Sequence, residues 1–368
     1  MIGRTKLLNI GLAFIFALPI ITLNSEYPIN IECDFDFCST STIQSEKKLL
    51  NNEYLVIDDQ RGKLEIFDGT TYQFVKEISY ICTYAISDNS KYIAIADYDN
   101  NNNRFATIST FPDKKKIMEI PFFQDLSLGF FCSQQIAISS NGKFVAMAAP
   151  TGDIEVANIK NKNIINRFSM GDSGITDIEF SPDETYIAVV SVDADLTVWN
   201  IKTNSLVFTY SDPAKNLLSV GFSPDSRELV IIDNQWTSNI IFFSVENGKK
   251  TGEYTLNGGP GYIQVTKNNT VIVNDGYNVR EISWLTKTDT GRYAKCTKSP
   301  DHENFVETGV NDSSLSSDGR RVAISCSYLN TDQMQVIVRD FDTGEIDYEF
   351  EYSPSVGSGA IPLVTFVK

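Results

Sequence analysis

A chain of 368 residues is longer than one compact core usually holds, so it forms either several domains or one large closed architecture. With 42% hydrophobic and 21% charged residues it has ample apolar material to offset ordering entropy, which excludes a disordered or collagen-like protein. Thirty-one Lys and Arg against 47 Asp and Glu leave −16, a field that repels phosphate backbones and anionic lipid, and the single histidine, His302, nearly excludes His-rich metal centres.

Met1 to Lys6 carries Arg4 and Lys6, and Leu7 to Leu23 is an apolar run before polarity returns at Asn24-Ser25-Glu26. This is the pattern of a secretory signal, with cleavage expected near Ser25. The run is at the short limit for a membrane span and contains Pro19, so a span is expected only if the signal stays uncleaved. The expected organisation is a signal peptide over 1–25, a polar segment over 26–48 and a folded domain over 49–368. The expected location is secreted, periplasmic or in the lumen of the secretory pathway.

Six cysteines, Cys33, Cys38, Cys82, Cys132, Cys296 and Cys326, form an even set suited to an oxidising compartment. Cys33 and Cys38 are close enough in sequence to close a small loop and are the first expected disulfide. Cys82, Cys132 and Cys326 lie in apolar runs, where buried free thiols and disulfides are both open readings.

From residue 49 onward a repeat governs the sequence. SDNSKYIA (87–94), SSNGKFVA (139–146), SPDETYIA (181–188), SPDSRELV (223–230), TKNNTVIV (266–273) and SSDGRRVA (316–323) align without gaps, starting 52, 42, 42, 43 and 50 residues apart. Each is a polar turn leading into an apolar strand, with a short strand before it and a hairpin after it, which makes four strands per unit. A unit of this size cannot bury both faces of its sheet alone, so neighbours must stack around an axis. LLNNEYLVIDD (49–59) lacks a first strand and IPLVTFVK (361–368) is a first strand with nothing after it. Joined, they complete a seventh unit. The predicted fold is all-β, a seven-bladed propeller closed by the C-terminal strand in blade 1, with no open sheet edge at the closure.

Val198-Trp199-Asn200 ends the most regular unit, and Ser-Pro-Asp opens two first turns. On these residues the chain from about 49 to its end resembles the WD-repeat family of β-propellers. The resemblance implies a scaffold or interaction role by analogy of fold. No unit carries the family's Gly-His pair, so its buried Asp-His-Ser-Trp network has no counterpart here.

Paired carboxylates at Asp58-Asp59, Asp97 and Asp99, Asp193 and Asp195, and Asp340 and Asp342 fall at strand ends or in turns, where Asp is favoured by bonds to its own backbone. Asp97 to Asn101 begins like a calcium loop but has Asn102 and Ile108 at the positions of its glycine and bidentate glutamate. The Asp340-Phe341-Asp342-Thr343-Gly344 turn resembles one in quinone-dependent propellers, yet it occurs once. Neither cofactor nor metal is expected. The innermost strands supply only Asp177, Glu179 and Gln264 as polar channel residues.

Long connections are the more informative feature. Those between second and third strands and between blades share one face, and they include 97–103, 121–132, 233–239, 299–312 and 328–332. Phe122, Phe123, Phe130 and Phe131 in one connection form either an exposed partner site or a private mini-core. Trp236, between polar residues, is the best single anchor, and Tyr328 opens another loop. The expected function is binding of a protein or peptide on this face, without catalysis. The alternatives are a hydrolase or lactonase with a channel calcium, and a glycan-binding lectin.

Overall fold

The computed structural model describes residues 53–367 except 61, 81, 100–102, 124–134, 172–173, 194, 213–214, 234–236, 259–260, 297–306, 329–333 and 353–361. All described residues belong to one unit, Leu50–Lys368. Numbered in chain order, the described strands run β1 to β28 and form seven four-stranded antiparallel sheets. Blade 1 has the order β28 (Leu363–Val367), β1 (Tyr54–Asp58), β2 (Lys63–Asp68), β3 (Phe74–Ser79). In blades 2 to 7 the chain runs outward from the innermost strand. These innermost strands are β4 (Thr83–Ile86), β8 (Gln135–Ile138), β12 (Ile175–Phe180), β16 (Leu217–Phe222), β20 (Ile263–Val265) and β24 (Glu307–Leu315). The sequence-based closure is therefore observed, with Tyr54 opposite Val367 and Asp58 opposite Leu363.

The repeated turn has a common physical cause. Ser181 Oγ accepts from Thr185 N at 3.2 Å and Tyr186 N at 2.9 Å while donating to Asp183 at 2.6 Å. Ser223 does the same with Glu228 N and Asp225, and Ser316 with Arg321 N and Asp318. The hydroxyl thus closes the turn that delivers the chain into the second strand. The fourth turn residue has positive φ in each of these units: Ser90, Gly142, Glu184, Ser226, Asn269 and Gly319. Gly142 is required, since a Cβ there would lie 2.3 Å from the Tyr92 ring.

Second strands are buried on both faces, as in β9 (Phe144–Ala148), because each is covered by a blade on either side. Outermost strands alternate instead, as in β11 (Asn163–Ser169), with one face in water. The buried apolar residues fall into seven clusters, and each draws from two successive blades. A blade thus has no core of its own; the cores lie between blades.

Trp199 stacks on Phe168 with ring centroids 4.6 Å apart, but its indole N–H is buried without a hydrogen bond. This agrees with a missing Gly-His partner. Trp284 is satisfied differently, donating to Glu228 at 2.5 Å.

One disulfide joins Cys296, after β23 (Thr288–Lys295) of blade 6, to Cys326 in β25 (Arg321–Tyr328) of blade 7. Both cysteines are buried, and the bond crosses a blade interface. Of the two open readings for Cys326, the free thiol is therefore set aside. With its ends 30 positions apart in sequence, loop-closure entropy gives such a bond about 3–4 kcal/mol. Cys82 is also disulfide-bonded, to a partner outside the described residues. The expected Cys33–Cys38 pair lies outside them as well.

Candidate functional site

Antiparallel blades place their connections alternately at two ends of the ring. Connections from first to second and third to fourth strands are short turns, such as 181–185, 201–204 and 284–287. Connections from second to third strands and from blade to blade lie at the other end, and they include 123–134, 296–306 and 353–362. Among the described residues, the strand ends that flank the long connections therefore lie at one end of the ring, and the opposite end carries tight turns.

The structure divides the aromatic candidates on the long-connection face. Phe122 closes β7 (Lys116–Phe122) and Phe123 follows it, with exposures of 0% and 4%. Both pack in the cluster between blades 2 and 3, their rings 6.2 Å apart. Phe123 has φ 53°, and its N–H donates to the buried Glu155 carboxylate at 2.7 Å. These two side chains support the base of the connection and offer no free surface. The outermost strand simply runs two residues into the expected connection 121–132, ending at Phe122. Phe130, Phe131 and Trp236 lie outside the described residues, and Tyr328 ends β25 opposite Glu307 with its side chain outside the description.

At the axis, the innermost strands face a physical problem. Each has one edge without a neighbouring strand, so backbone donors there need partners. Polar side chains of one blade supply them to the next. Asp177 accepts from Val220 N at 3.0 Å and Ser219 Oγ at 2.8 Å. Glu179 accepts from the Phe222 N–H. Gln264 accepts from Leu315 N at 2.6 Å and donates to its carbonyl. Asp312 accepts from Val364 N at 2.8 Å, and Ser314 from Phe366 N at 2.9 Å. Gln135 donates to the Thr176 carbonyl. The three residues that sequence placed in the channel are thus latches between blades.

Asp312 and Ser314 were not among the sequence candidates for the channel, because the first strand of blade 7 is longer than its repeat. Register shifts at Glu307/Gly309 and Val310/Asp312 carry it into the polar stretch. The alignment could have found them, since Asp177 and Asp312 both stand four residues ahead of the turn serine.

Burial sets the acidity of these groups. It pushes Asp312 up to about 7, opposed by the N–H groups of Val364 and Ser313 and reinforced by the charge of Asp58. Burial also raises Asp58, against hydrogen bonds from Gln60 N–H and the Tyr80 hydroxyl. Tyr84 is driven well up by burial and then by Asp58. Glu179 is driven well up by burial first, then by Asp177 and Asp88.

For Asp312 the sign follows directly. The native state keeps this proton to about pH 7, whereas the unfolded chain loses it near the ordinary aspartate value of 3.8. Between those values the native state binds more protons, so this group's contribution to stability declines as pH rises and levels off above 7. Asp312→Asn keeps an acceptor for Val364 N and removes the titration. Denaturant unfolding should show the variant gaining about 2–3 kcal/mol relative to wild type between pH 5 and pH 8. A difference that does not change with pH would refute the assignment.

Among the described residues no group of three His, Cys, Asp or Glu side chains is arranged to hold a metal ion, and no helix is long and apolar enough to cross a membrane.

Residues 163–200 match the family model of the WD domain, G-beta repeat. The matched segment is the outermost strand of blade 3 followed by three strands of blade 4, through Trp199. It is thus offset by one strand from the structural blade. Together with the seven closed blades, this match supports a WD-repeat-like β-propeller, and WD-domain propellers generally mediate protein interactions. No curated protein matches the chain.

Proposed function

We propose that this chain is an exported, non-catalytic propeller that binds a protein or peptide partner on its long-connection face, with Trp236 as anchor and with Phe130, Phe131 and Tyr328 as further contact residues. The observation that carries this reading is the asymmetry of the ring. A scaffold needing only stability would close both ends with tight turns, and here one end alone does so. Phe122 and Phe123 hold the root of the connection that bears Phe130 and Phe131. The channel carboxylates Asp177 and Asp312 are engaged by backbone and hydroxyl donors, which favours binding over a channel calcium and hydrolysis. The buried Cys296–Cys326 bond supports an oxidising compartment and hence export.

Affinity capture of the mature chain from its native extract, with mass spectrometry, identifies the partner. Trp236→Ala should then weaken that complex by about 2 kcal/mol or more while leaving melting nearly unchanged, as for an aromatic hot spot. Loss of fold stability by about 3 kcal/mol instead would make Trp236 a packing residue and remove it from the site.

A further inference from the structure

The short-turn end of the ring carries a separate feature. A cavity of about 610 Å³ opens there among the innermost strands, a volume within the range of small-ligand sites. Its walls include Ile86, Phe222, Val265 and Phe366, and Glu179 contributes a carboxylate. Asp177 and Asp312, the comparable carboxylates of the channel, are occupied by the next blade. Glu179 takes only the Phe222 N–H, and among the described residues no lysine or arginine pairs with it.

Glu179 is half-buried, and a carboxylate partly withdrawn from water without a counter-charge favours its protonated form unless a cation joins it. The surrounding field has the same sign, since Asp177 lies near, Asp88 stands at the cavity and the whole chain is at −16. Apolar walls around one carboxylate, which an incoming cation would hold ionised, recognise an apolar stem with a positive head. The exposed Lys267 on the lining repels a second positive charge, which restricts the ligand to one.

We propose that the cavity at the short-turn end binds a single alkylammonium or guanidinium group on an apolar stem, with Glu179 as its counter-ion. The group comes either from a free amine or from a lysine or arginine side chain of a peptide. This site is at the opposite end from the long-connection face and stands whether or not that face binds a partner.

Benzylamine and its neutral analogue benzyl alcohol test the proposal by calorimetric or NMR titration of the full mature chain. Benzylamine should bind at least tenfold tighter than benzyl alcohol, and Glu179→Gln, which keeps an acceptor for the Phe222 N–H, should abolish that preference. Equal binding of the two compounds, or an undiminished preference in the variant, overturns it. A capped peptide with one arginine among glycines distinguishes the sources: displacement of benzylamine by the peptide assigns the site to a side chain, and its failure to displace assigns it to a free amine. Should Glu179→Gln not fold, Thr365→Trp serves, because Thr365 is exposed on the cavity wall and a large ring there fills the space. Benzylamine binding lost in that variant supports the site, and unchanged binding overturns it.

Discussion

A chain ending at residue 362 is expected to lose its cooperative fold. The deletion removes β28, whose Val364, Phe366 and Val367 are at most 7% exposed. Burying three such side chains is worth about 1.5–3 kcal/mol each. Two latches fail at the same moment, since Asp312 loses Val364 N and Ser314 loses Phe366 N, leaving a buried carboxylate with fewer donors. β1 becomes an open edge next to the channel. The sum is on the order of a whole domain's stability, about 5–15 kcal/mol. Circular dichroism and gel filtration should show an unfolded or aggregated product, and a peptide of residues 362–368 added in trans should recover part of the native signal. A truncated chain that remains soluble and melts like the wild type would disprove closure by this strand.

The second large effect is expected at Arg321, on the seam between blades 7 and 1. Its guanidinium donates to Glu53 at 2.8 Å, to the Gly69 carbonyl and to the Tyr72 hydroxyl, and it lies 5.7 Å from the Phe366 ring centre. Glu53 is buried and also accepts from Ser317 N. Arg321→Met leaves that carboxylate without its cation and should reduce stability by about 3–5 kcal/mol in urea unfolding. The double variant Arg321→Met with Glu53→Gln should regain most of the loss, because the penalty belongs to the uncompensated charge. A single variant within about 1 kcal/mol of wild type, or a double variant no better than the single, would show that the pair contributes little.

What could be read from sequence and what could not divide along one line. Local chemistry repeats, so it was legible: the serine that closes each turn, the alternation after it, the missing first strand at 49–59 and the spare one at 361–368. Contacts between blades do not repeat in the same form. The Cys296–Cys326 bond joins two units with no spacing rule to mark it, among six cysteines that permit many pairings. Asp312 was hidden by irregular register in β24. Phe122 and Phe123 read as part of the connection 121–132, yet the ladder of β7 continues to Phe122, which pairs with Arg104. The asymmetry of loop lengths was legible, since it requires only the order of strands.

The closure also determines how the ring responds to force. Tyr54 faces Val367, so the chain enters and leaves the ladder at the same end. A pull between these two residues loads the hydrogen bonds one pair at a time, as a zipper is opened, and never all five pairs in shear. The joint that completes the ring therefore opens under tension by peeling, although removing it is costly at equilibrium. Once β28 peels away, tension reaches blade 7, where the covalent tie from Cys326 to Cys296 keeps the segment between them from extending. In an oxidising environment, tension on the ends would open the ring at blade 1 first, and the stretch from 296 to 326 would add no length to the extending chain.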